Sequence, residues 1–130
     1  MTRTLQHRFE LGAAALLYLT FAVSLVADWL LGQGYFAPHK STSQYLMLYG
    51  AMPLLLVIYY CIGKGMRGAK TTFLTLYAFV LLDFMTGGLL PAHYDTRPKL
   101  VNLVVQHGLQ VVASVLILVS LRKDLPTKLA

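Results

Sequence analysis

Charge is what this sequence most lacks. Only 12% of its 130 residues are Asp, Glu, Lys or Arg, where an ordinary soluble domain carries about a quarter. Acids are the scarcer sign, five against eleven basic residues. Cysteine is nearly absent, and the single Cys61 excludes an internal disulfide and any Cys-based metal cluster. No nucleophile elbow, phosphate loop or haem-attachment motif is present. No internal repeat or low-complexity segment interrupts the chain. His39, His93 and Asp95 do not have the spacing of a metal site. Nothing here implies a metal or a cofactor.

Apolar residues are abundant, at 57%, with a mean hydropathy of +0.62. Four apolar runs occupy most of the length. At about 1.5 Å per residue, roughly 20 such residues cross a hydrocarbon core of about 30 Å. The expected fold is all-α: a polytopic membrane protein, one four-helix transmembrane bundle spanning 1–130. The expected helices are 9–31, 45–63, 71–90 and 100–121. No length is left for a soluble domain. The first run follows Arg3 and Arg8, as in a signal peptide, but is longer than a signal core and lacks a small-residue cleavage site. It reads as a retained anchor.

The net charge of +6 does not point to nucleic acid, because the basic residues sit between and beyond the apolar runs. Arg3, Arg8, the second loop (Lys64, Arg67, Lys70) and the tail (Arg122, Lys123, Lys128) hold eight. Lys40, Arg97 and Lys99 hold three on the other side. The positive-inside rule then puts both termini in the cytoplasm.

Polar side chains recur at helical spacing inside the runs. Asn102, Gln106, Gln110 and Ser114 form a four-residue stripe on the last helix, with His107 beside it. Thr20, Ser24 and Asp28 form a second stripe on the first, and Thr75, Phe79, Asp83 and Thr86 share a face of the third. Tyr45 and Tyr49 open helix two on the side where Asp28 ends helix one. In this topology the outer half collects the polar groups. The inner half holds only Thr20 and Ser114 near the middle, with Thr75 and Ser120 deeper, while Glu10 favours its own helix dipole at the first turn.

With helix three ending at residue 90, Asp83 and His107 each lie roughly 10 Å below the outer surface. A lone ionised Asp there costs about 2.5–3.5 kcal/mol on insertion scales, and His107 is the basic group at its depth. The two are expected to interact, directly or through water, as an acid/base pair. Asp28, Tyr45, Tyr49, Asn102, Gln106 and Gln110 are the expected ligand contacts around them. The plainer alternative is that such stripes only join helices, at about 0.6 kcal/mol per hydrogen bond, and that Trp29, Tyr45 and Tyr49 are interfacial aromatics.

Several short features resemble the EXPERA-type membrane family, which includes the sigma-2 receptor and the sterol Δ8–Δ7 isomerase. They are an acid late in helix one (Asp28), a proline within helix two (Pro53), an aromatic exit followed by Lys-Gly (Tyr59, Tyr60, Lys64-Gly65), and Arg-Pro before helix four (Arg97-Pro98). The resemblance implies four helices with cytoplasmic ends and a sterol-like ligand. The family's helix two also carries a cavity-facing acid, and residues 45–53 contain none. Three functions remain open. The first is a protein that binds, or isomerises, a lipophilic ligand such as a sterol, quinone or isoprenoid. The second is an accessory subunit of a larger membrane complex or a homo-oligomer, and the third is a small proton-coupled transporter.

Overall fold

The computed structural model describes residues 2–32, 41–86 and 97–124. These residues form four helices: α1 (Arg3–Leu31), α2 (Thr42–Gly63), α3 (Arg67–Met85) and α4 (Arg97–Asp124). Each is long and apolar enough to cross a membrane. The α1 helix packs most extensively against α4 and also against α2, α3 packs on α2, and α3 meets α4 only lightly. The bundle therefore has one loosely closed side.

The helix ends differ from expectation for local reasons. Helix α2 starts at Thr42 because Ser41 caps it: its Oγ accepts from the Gln44 N–H at 3.3 Å, and the Gln44 side chain accepts from the Ser41 N–H at 3.0 Å. This is a capping box, satisfying two otherwise orphaned donors. Helix α1 ends where Gly32 takes a left-handed conformation and returns its N–H to the Asp28 carbonyl. Pro53 sits within α2, as expected.

Three residues, Lys64 to Met66, join α2 to α3. The Gly65 N–H bonds to the Ile62 carbonyl and the Met66 N–H to the Cys61 carbonyl. That is a Schellman ending, and its left-handed position is Gly65, at φ 81°. Helix α3 then begins at Arg67, so Lys70 lies inside a helix rather than in a basic turn. It ends at Met85 rather than at residue 90.

The core lies toward this turn. Ala13, Leu17, Ile58, Tyr59, Ile62, Phe73, Tyr77, Ala113 and Ile117 form one buried cluster. Ala13 and Ala113 are both inaccessible, as small residues are where helix backbones approach closely. Tyr59 packs edge-on against Tyr18 and Phe73, and Phe73 stacks on Tyr77. Beyond the level of Tyr77 and His107, toward the ends of α1 and α3 and the starts of α2 and α4, Leu103 is the one buried residue among those described.

Candidate functional site

Helix α3 decides which polar groups meet. Its inward face carries Lys70, Phe73 and Tyr77. The face with Thr75, Phe79, Asp83 and Thr86 is exposed along its whole length. At about 100° per residue, Asp83 stands roughly 120° around the helix from Tyr77. The bulky aromatic row fills the interior and turns the smaller polar row outward.

Asp83 and His107 also stand at different distances from the ends of their own helices. Because α3 ends at Met85, Asp83 is two residues, about 3 Å, from its helix end. His107 is ten residues, about 15 Å, along α4 from Arg97. No hydrogen bond or ion pair joins the two among the described residues. His107 Nδ1 instead lies 3.3 Å from the Tyr77 hydroxyl, which also reaches the His107 carbonyl at 3.4 Å. The Phe84 ring centroid is 5.2 Å from the imidazole. His107 is thus a half-buried member of the aromatic row.

Members of the stripe on α4 bond along their own helix. Gln106 Nε2 donates to Asn102 Oδ1 at 2.9 Å, and Ser114 Oγ donates to the Gln110 carbonyl at 2.7 Å. Thr20 likewise bonds back to the Leu16 carbonyl. Tyr45 and Tyr49 stack on each other, ring centroids 5.9 Å apart, on the exposed side of α2. His39, His93 and Asp95 lie outside the described residues, and no three metal-ligating side chains cluster among the rest.

The strongest polar interaction is one that the local pattern did not announce. Lys70 Nζ donates to Glu10 Oε1 at 2.5 Å, with Lys70 wholly buried and Glu10 5% exposed. His7 Nδ1 lies 3.7 Å from the other Glu10 oxygen. A Cβ on Gly65 would stand 2.8 Å from that same oxygen. Nearby, Gln6 Nε2 donates to the Ser120 carbonyl at 3.4 Å. The half expected to be almost bare of polar side chains therefore holds a buried ion pair. The available signal was the placing of Lys70, Phe73 and Tyr77 at i, i+3 and i+7, which is one helix face.

A second feature lies at the opposite end, between the last turns of α1 and the first turns of α4. A groove of about 510 Å³ runs there, walled by Val23, Ala27, Leu30 and Leu31 from α1 and by Arg97, Pro98, Val101, Asn102 and Val105 from α4. Its size falls within the range of about 300–1,000 Å³ typical of small-molecule sites. Asn102 brings one expected ligand residue into it, and Gln106 is tied to Asn102. Asp28 follows Ala27 on α1 without being part of the wall. Another groove, of about 540 Å³, runs along the exposed face of α3 alone. No known family, curated protein or solved structure matches this chain.

Proposed function

We propose that the protein is a small integral membrane protein that binds a lipophilic amphiphile in the groove between α1 and α4. The observation that carries this reading is the groove itself: aliphatic walls from two spanning helices, with Arg97 and Asn102 as its polar wall residues. Such a distribution suits a ligand with an apolar body and one polar end. The four apolar helices support a membrane location. In this reading the Lys64–Arg67 turn and both termini face the cytoplasm, since exposed basic residues still concentrate there, and the groove opens to the outer leaflet.

Binding is favoured over isomerisation. Double-bond isomerisation needs one group to add a proton and another to remove one nearby. Asp83 and His107 are the candidates for that work, and Asp83 stands on the exposed face of α3 while His107 meets Tyr77 on the inward face. A photoactivatable fatty-chain amphiphile, cross-linked in membranes and mapped by peptide sequencing, tests the reading. Label concentrated in 23–31 and 97–105 supports it. Label spread evenly over the exposed faces of all four helices rejects it, and cross-links from this groove to another protein would favour an accessory subunit.

A further inference from the structure

We propose that the occupant of the α1–α4 groove is an anionic phospholipid, its phosphate held by Arg97 and part of one acyl chain laid along the aliphatic walls. This inference rests on the amphiphile reading and adds the chemistry of the head group. Three observations carry it. The first is position. Arg97 stands at the end of the groove where α1 stops and α4 begins, the level at which a spanning helix meets the phosphate layer. From Arg97 to Val105 the α4 wall runs about 12 Å into the apolar region.

The second observation is unused charge. Arg97 is exposed and makes no hydrogen bond or ion pair with another described residue. Asp28, the acid closest in sequence to the α1 wall, has a partner of its own. A guanidinium presents a planar fork of donors that matches a phosphate in bidentate fashion.

The third is the sign of the hydrogen-bonding groups. Asn102 has its carbonyl oxygen engaged by Gln106, so what it has to offer a ligand is chiefly N–H. Arg97 has donors only. The polar side chains of the wall thus present donors, which suit the acceptor-rich phosphate and ester oxygens of a phospholipid. Among the described wall residues none is a carboxylate or an aromatic ring that would receive a quaternary ammonium. The groove therefore discriminates against a zwitterionic choline head in favour of a net negative one.

Native mass spectrometry of the full chain, released from nanodiscs of equal phosphatidylglycerol and phosphatidylcholine, tests this. The expected wild-type species retains one lipid, predominantly phosphatidylglycerol. Arg97→Gln should still retain a lipid but lose the preference by about tenfold, the worth of one charge-assisted contact. Arg67→Gln, which removes an equal charge at the far end, should leave the preference intact. Added inorganic phosphate should not compete, since a free anion lacks the chain. Equal retention of both lipids by the wild type, or an unchanged preference in Arg97→Gln, overturns the anionic assignment and leaves the amphiphile reading standing. Ala27→Trp and Val105→Trp each fill the groove from one wall, and wild-type retention in both would overturn the amphiphile reading itself.

Discussion

The two halves of this bundle are packed differently. In the half around the α2–α3 turn, apolar side chains interlock and the Glu10–Lys70 ion pair is enclosed among them. In the half toward the ends of α1 and α3, the helices present large side chains outward: Trp29 is 66% exposed, Leu46 71% and Met85 82%. There Gln106 bonds to Asn102 along α4 itself. In the membrane location proposed above, lipid tails are as apolar as leucine, so exposure there carries no hydrophobic penalty. One half thus holds the helices together, and the other is the half to which the proposed ligand is assigned.

The largest effects should come from breaking the closed half. Lys70→Met leaves Glu10 buried without its cation, and removing one member of such a pair costs about 3–5 kcal/mol. Thermal unfolding in detergent should show a large loss for Lys70→Met and for Glu10→Leu alone. The double variant should recover most of it, because an apolar pair of similar volume is often neutral or better than an ion pair. If both singles melt like the wild type, the two halves are not different in the way described. Next in size is Gly65→Ala. It puts a side chain at φ 81° and a Cβ 2.8 Å from the Glu10 carboxylate. A strained backbone of this kind costs about 1–3 kcal/mol, and the clash should add to it. In Gly65→Ala combined with Glu10→Leu the loss should be less than additive, which a double-mutant cycle on melting would read.

A smaller effect marks the open half. Ser41→Ala removes the side-chain half of the α2 capping box and should cost about 1 kcal/mol. Hydrogen exchange at the first turn of α2 should accelerate while the Ile58–Ile62 turn stays protected. Equal acceleration in both would mean that α2 frays as a unit and that the closed half does not hold it.

These differences explain what could be read from the chain and what could not. Four helices long and apolar enough to span a bilayer follow from run length alone, because the bilayer fixes that length. The start of α2 was legible in the Ser41-x-x-Gln44 spacing, had it been weighed against the polar loop around it. The facing of α3 was not. In water a polar stripe points outward and an apolar one inward, but in lipid both the core and the surroundings are apolar. The spacing of Thr75, Phe79, Asp83 and Thr86 therefore identifies a face and leaves its direction open. The Glu10–Lys70 pair joins positions sixty residues apart, and no local period connects them. What fixes it is the three-residue turn after α2, which brings the start of α3 beside the start of α1.

The finest comparison is between two partners for His107. If the aromatic row of α3 faces inward, His107 couples to Tyr77, and Asp83 is energetically independent of both. Tyr77→Phe removes the hydroxyl at 3.3 Å from His107 Nδ1 and keeps the ring stacked between Phe73 and the imidazole. A hydrogen bond between membrane helices averages about 0.6 kcal/mol. A double-mutant cycle of Tyr77→Phe with His107→Gln should return a coupling of that size. The parallel cycle of Asp83→Asn with His107→Gln should return none beyond the roughly 0.3–0.5 kcal/mol scatter of independent sites. The reverse result would mean that α3 is rotated so that its polar face looks into the bundle. That rotation would carry Phe73 and Tyr77 out of the core and draw Lys70 away from Glu10, so the outcome of the first prediction and of this one must stand or fall together.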